Sequence, residues 1–173
     1  MAMAITVGQF LNSHNVDFSL TQHRHTDTSF SSAISAHVPT SQVAKAVMLK
    51  DQNGEYLMAV VPSNRRVMID KIGRMMGKQY FLIGEHELPD IFQDCDPGAV
   101  PSLGQAYKVN MLVDDLLLEQ DELYIESGDH ENLIHLDNKQ FHKVMHDIPH
   151  ENISGYRMMF SQEQDSRRGW DWE

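Results

Sequence analysis

Two apolar runs, Val43 to Lys50 and Tyr56 to Val61, flank the tetrapeptide Asp51-Gln52-Asn53-Gly54. Asn-Gly tolerates the positive φ of a tight turn, so this stretch predicts a β-hairpin. A hairpin of that length needs a sheet to join and helices to cover it. The rest of the chain supplies both. Thr6 reads as the N-cap of an opening helix that ends near His14-Asn15, and Val16 to Leu20 alternates as a half-buried strand does. A second helix starts at Thr28 or Ser29 and runs to about His37, before Pro39. Asp70 reads as the cap of a third helix, with Ile72, Met75, Met76 and Gln79 on one face and Lys71, Arg74 and Lys78 on another. Tyr80 to Ile83 is a strand, Glu85 to Phe92 a short helix, and Asp96 to Gly104 a loop with two prolines and two glycines. Strands follow at Lys108 to Val113, Leu123 to Glu126 and Asn132 to Leu136. Asp137 and Gln140 stand at capping-box spacing at the head of a last helix ending near Met145.

Strands and helices therefore intersperse around a hairpin. This predicts an α/β chain with a mixed or antiparallel sheet, not a doubly wound one. Its 173 residues suit one domain, read as residues 1–150, followed by a C-terminal tail, 151–173, that is partly ordered or disordered. Tyr156, Met158, Met159 and Phe160 are the tail residues expected to dock back. No apolar run has the length of a membrane span, and the first residues lack the basic and apolar regions of a signal peptide. A single cysteine, Cys95, forms no internal disulfide. The expectation is a cytoplasmic monomer with no membrane partner.

The net charge of −11 argues against broad nucleic-acid binding, but the charge is uneven. Arg65, Arg66, Lys71, Arg74 and Lys78 crowd one short stretch, while Asp114 to Glu131 holds eight acids and no lysine or arginine. Such a local basic patch could meet nucleic-acid phosphates over a small contact. It is equally the solvated face of a helix.

Three places could carry chemistry. Lys45 sits mid-strand on the face shared by Val43, Val47 and Leu49. An ammonium there needs a partner or a purpose, unless it snorkels out. The loop Gly98-Ala99-Val100-Pro101-Ser102 fixes a backbone path that could aim N–H groups at a carbonyl, or merely connect two elements. In Gly128-Asp129-His130 a glycine turn could project an imidazole into a cleft. Other chemistries lack support. His23 with His25, and His142, His146 and His150, form no recognised zinc pattern, so no metal or cofactor is expected. Asp94 and Asp96 beside Cys95 would disfavour a thiolate nucleophile.

The segments Val43-Ala44-Lys45-Ala46-Val47-Met48-Leu49-Lys50, Gly98-Ala99-Val100-Pro101-Ser102-Leu103-Gly104 and Gly128-Asp129-His130-Glu131, in that order, resemble the YbaK/ProX family of aminoacyl-tRNA editing domains. That family includes the editing insertion of bacterial prolyl-tRNA synthetase, and the similarity covers about residues 5 to 146. The resemblance implies a curved, partly barrel-like mixed sheet surrounded by helices. It also implies hydrolysis of mischarged tRNA, typically a small amino acid such as Ala or Cys on tRNA for proline. Lys45 and His130 fall at its catalytic positions, and Gly98, Ala99, Val100, Pro101, Ser102, Gly128 and Asp129 at its substrate-binding ones. Ser102 departs from the second proline of many relatives. The partners implied are the aminoacylated 3′ end of tRNA and, in some members, a synthetase. A non-catalytic module that holds a tRNA end is the alternative.

Overall fold

The computed structural model describes residues 2–156; the expected helices and strands appear near their sequence signals, and four short elements without one (at 65–67, 115–118, 150–151 and 154–156) are added. In chain order they are α1 (Ile5–Ser13), β1 (Ser19–Gln22), α2 (Ser29–Ser35), β2 (Val43–Asp51), β3 (Tyr56–Pro62), β4 (Arg65–Val67), α3 (Ile69–Met76), β5 (Tyr80–Leu82) and α4 (Leu88–Ile91). Then come β6 (Asn110–Asp114), α5 (Asp115–Leu118), β7 (Glu122–Glu126), β8 (Asn132–Asp137), α6 (Asn138–Met145), β9 (His150–Glu151) and β10 (Ser154–Tyr156). The main sheet runs β1-β8-β7-β2-β3-β6-β9, with β5 also on β2. β7 meets β2 in parallel, as β6 meets β3 and β9 meets β6; the remaining pairs are antiparallel. The expected mixed sheet flanked by helices is what forms.

The hairpin is the keel of this sheet. β2 and β3 pair from Ala44–Pro62 to Lys50–Tyr56, closed by Asp51 and Gly54. Asp51 Oδ1 accepts the Asn53 and Glu55 N–H groups, and Gly54 adopts φ +84°. Because successive side chains alternate, Ala44 and Met48 enter a core with Val7, Leu11, Phe141 and Val144. Val47 and Leu49 enter the opposite one with Ile72 of α3 and Ile153. A third cluster joins Val43 and Leu133 to Ala33 of α2. Full burial of a side chain such as Leu11 or Leu49 contributes roughly 1.5–3 kcal/mol.

Five local expectations are corrected by tertiary context. Ala4, not Thr6, stands at the N-cap of α1, and the Thr6 N–H is capped by the Asp94 carboxylate at 2.8 Å from 88 residues away. The first strand is Ser19–Gln22, three residues later than its alternation suggests, because Val16 and Phe18 pack into the core from a connecting segment. Met68 precedes α3, leaving Asp70 in its first turn. Met75 and Met76 are exposed because this short helix buries only Ile72. At α6, Asp137 caps Gln140 N–H, but the Gln140 side chain accepts from Asp17 N–H and leaves the capping box half closed.

Residues 151–156, read as the start of a partly ordered or disordered tail, are built into the fold, together with His150. β9 pairs with β6 and β10 with β4, and Ile153 N–H donates to the buried Asp114 carboxylate at 2.9 Å. Tyr156 is exposed under the Arg65 guanidinium. Met158, Met159 and Phe160 lie outside the described residues. No helix among the described residues is long and apolar enough to cross a membrane.

Candidate active site

One edge of β2 is occupied along its length by β3; the other is shared. Val43 and Ala44 pair with β7 and residues 49–51 with β5, so residues 45–48 have a ladder partner only in β3. A cavity of about 120 Å³ opens at this break. Lys45, Gly98, Val100 and His130 all line it, with Glu126 and, from the head of α2, Thr28 and Ser29. Three segments far apart in sequence thus converge on one opening.

The turn after β7 is organised by a carboxylate. Glu126 Oε1 accepts the N–H groups of Gly128, Asp129 and His130 at 2.9, 3.1 and 3.1 Å. Gly128 takes φ +110°, and a Cβ there would stand 2.9 Å from Ala4 Cβ, so only glycine fits. His130 is left-handed at φ +60°, which costs a non-glycine residue roughly 1–2 kcal/mol. The hydrogen bonds to Glu126 offset it. Asp129 is buried and faces inward to the turn. Oδ1 accepts from Ser127 Oγ and from the N–H groups of Glu131 and Asn132, and Oδ2 from Asn132 Nδ2. Burial alone would raise its carboxyl, but these donors outweigh it and hold the group below the usual aspartate range.

The turn in turn fixes the loop. Asp96 N–H donates to Gly128 carbonyl at 2.8 Å, and His130 Nε2–H donates to Pro97 carbonyl at 2.7 Å. A carbonyl only accepts, so Nε2 carries the proton. Ala99 and Val100 N–H groups bond to the Asp96 and Gly98 carbonyls, each at 3.0 Å. Among the described residues, nothing accepts the N–H of Gly98, which lines the cavity at φ +79°. Ser102, fully buried, donates from Oγ to Ala44 carbonyl at 3.0 Å and pins the loop beside Lys45. Asp94, just before the loop, ties it to α1. Its carboxyl is lowered because donation from Thr6 and Tyr107 outweighs the effect of burial.

Lys45 is half-buried, and its Nζ donates to Arg65 carbonyl at 3.0 Å. Arg65 is itself held by Ser154, through Nε and a terminal nitrogen, both at 2.9 Å. The segment after Pro149 therefore reaches the lysine at one remove. Of the other expected site residues, Ala99, Pro101, Ser102, Gly128 and Asp129 are buried and stand off the cavity wall; they shape it. Glu126, Asp27 and Glu85 line the cavity and were not singled out from sequence. The only local hint was an acid two residues before a glycine turn.

The basic stretch is dispersed by its own chain. Lys78 pairs with Asp51 at 2.8 Å and Glu55 at 2.9 Å, and the Asp51 bond foremost raises its ammonium well above the usual lysine range. Lys71 donates to Asn152 carbonyl, and Arg66 lies half-buried on β4. Arg74 is exposed. The histidines scatter too: His142 bonds Leu118 carbonyl, His146 pairs with Asp147 and His150 with Asp115. Among the described residues no three His, Cys, Asp or Glu side chains group as metal ligands. Burial pushes the Cys95 thiol up to about 12, which makes it a poor nucleophile.

A sequence model of the aminoacyl-tRNA editing domain matches residues 23–144, about 70% of the chain. The chain belongs to the aminoacyl-tRNA editing domain family. Its function class is aminoacyl-tRNA editing, and the matched span contains Lys45, Gly98 and His130. Similar solved structures include "hypothetical protein APE2540", at 20% identity and TM-score 0.74, covering 87% of this chain and 99% of that one. A "putative trans-editing enzyme for prolyl tRNA synthetase" is 17% identical with TM-score 0.75, covering 88% and 96%. At these identities the two share the fold. No curated protein matches the chain significantly.

Proposed function

We propose that this editing domain is a trans-acting deacylase that hydrolyses the ester between a small, mismatched amino acid and the 3′ end of a tRNA. The observation that carries it is the convergence of Lys45, Gly98 and His130 on one small cavity at the break in the sheet. An aminoacyl ester is already activated, so a site needs mainly to place it and to polarise its carbonyl. Gly98 N–H, without an acceptor among the described residues, would meet the carbonyl oxygen, and the Lys45 ammonium would add positive charge as the oxyanion forms. Water attacks the carbonyl carbon and the bond to the 3′ oxygen breaks. The neighbouring 2′-hydroxyl of the terminal adenosine relays the proton to that leaving oxygen. His130 keeps Pro97 and Gly98 in place through its Nε2–H, a positioning role. No step needs a metal.

A cavity of about 120 Å³ favours a small side chain. Size exclusion rejects larger groups, whereas telling apart side chains one methylene different is worth only about 1–3 kcal/mol. Small amino acids such as alanine, cysteine or serine fit that volume, and carried on the tRNA for proline that the family resemblance implies they are the candidate substrates. The buried Ser102 hydroxyl ties the loop to β2. The test is deacylation of tRNA for proline carrying Ala, Cys, Ser or Pro, with and without chelator. Expected is release of a small amino acid unaffected by chelator, with prolyl-tRNA spared. Binding of tRNA without release of any of the four would favour the non-catalytic module instead.

A further inference from the structure

Glu126 does more than brace a turn. Its side chain is among the most buried acids of the described residues, with 8% of the residue exposed, yet it contributes to the cavity wall. Oε1 is saturated by three backbone N–H groups, a geometry that pins the carboxylate with no freedom to rotate. Oε2 receives no hydrogen bond from the described residues. In a residue only 8% exposed, a charged oxygen that opens onto a small cavity while its partner oxygen is fully engaged is best stabilised by a cation that meets it there.

The rest of the wall points the same way. Asp27, Glu85 and Glu126 supply three carboxylates against the single ammonium of Lys45. Such a wall attracts a small cation and repels a phosphate or a free carboxylate. An aminoacyl ester offers one cation that every amino acid shares, its α-ammonium group. His130 has its Nε2–H engaged by Pro97 carbonyl, and the neutral ring can offer an ammonium only the uncharged acceptor Nδ1, a weaker partner than a carboxylate oxygen.

We propose that Glu126 is the residue that recognises the substrate's α-ammonium group, through Oε2, while Oε1 holds the turn that presents His130. This rests on the aminoacyl-ester reading of the cavity, and it adds a selectivity that size alone cannot give. Esters without an α-ammonium, such as an α-hydroxyacyl or N-acetylaminoacyl group on the same tRNA, would be excluded however small they are. Peptidyl-tRNA, whose α-nitrogen is an amide, would be left untouched for the same reason.

The variant that isolates this role is Glu126→Gln. It keeps an oxygen for the three backbone donors and replaces the charged Oε2 with an amide NH₂. Two measurements are made on wild type and variant. One is binding of a non-hydrolysable 3′-alanylamido-3′-deoxyadenosine and its lactyl counterpart by calorimetry. The other is hydrolysis of alanyl- and lactyl-tRNA.

In the wild type the alanyl compounds are expected to be preferred by about 10- to 100-fold, the range of a hydrogen bond to a charged group. In Glu126→Gln the preference should fall to near unity, mainly through weaker alanyl binding. The melting temperature should stay within a few degrees of wild type. A variant that keeps the preference, or loses both ligands equally, overturns the proposal and leaves the deacylase reading standing. Wild type that binds neither compound overturns both. Wild type that binds with the preference but does not hydrolyse would overturn the deacylase reading alone. Should Glu126→Gln be unstable, Lys45→Ala serves as the comparison: it must keep the alanyl preference in binding, and its loss there would also overturn the assignment.

Discussion

Two charged regions of this molecule were built by opposite means. Around the break in β2, polar groups come from β2, the 96–104 loop and the turn after β7, and each is fixed by a hydrogen-bond partner from a different part of the chain or from its own turn. On and around α3, the cations are close in sequence, yet Lys78 and Lys71 are satisfied by Asp51, Glu55 and Asn152. Clustered charge along a chain is thus a poor guide to charge available for binding. Scattered residues with little individual signal can make the better site, provided that a hydrogen-bonded frame brings them together.

Substitutions on either side can break or sharpen that contrast. The largest effect is expected at the cavity. Lys45→Ala should lower deacylation by ~100- to 1000-fold, the scale of removing one electrostatic group from a reacting carbonyl. Its melting temperature should hold; full activity in the variant would show that the convergence is incidental. Asp129→Ala comes next. It removes four hydrogen bonds from a buried turn and should cost about 2–3 kcal/mol in denaturant unfolding. No such loss would mean that the frame is decorative. Gly98→Ala should cost roughly 1 kcal/mol or more from its positive φ and lower activity by tilting the loop, although a Cβ meets only His130, at 3.8 Å.

Acid should act through the same frame. The folded carboxyls of Asp129 and Asp94 both lie below their ordinary range. Their stabilisation is complete above the unfolded value near 4 and is lost as pH falls below it towards the folded values. A melting temperature that is level from pH 7 to about 5 and then falls is expected, with a shallower fall in Asp129→Asn. The smallest effects belong to the basic surface. Arg74→Glu should weaken tRNA binding several-fold without changing hydrolysis of a minimal aminoacyl ester, while Lys78→Gln should leave tRNA affinity nearly unchanged. Equal losses at the two positions would erase the distinction.

Much of this architecture was readable beforehand where the determining interactions are local. The Asn53-Gly54 turn, the Thr28 cap on Ser31 and the Asp137 cap on Gln140 act within four residues, and each element appears where it was expected. Glycines with positive φ marked both the loop and the turn of the site. What escaped was long-range. The cap on Thr6 comes from Asp94, the neutralisation of Lys78 from the hairpin, and the burial of Val16 from packing that imitates a strand's alternation. Glu126 was illegible for a related reason. Nothing in Ile125-Glu126-Ser127 announces that three amides will fold back onto one oxygen.

The unshared stretch of β2 has a further implication. A strand whose margin lacks a paired neighbour over residues 45–47 behaves as a socket in the middle of the sheet, and whatever sits in it bridges the β7 side to the β5 side. A guest of the right shape would act as a keystone, so occupancy should stiffen the whole arch as well as the walls it touches. Amide exchange in β5 and β7, strands that never meet each other, would slow together.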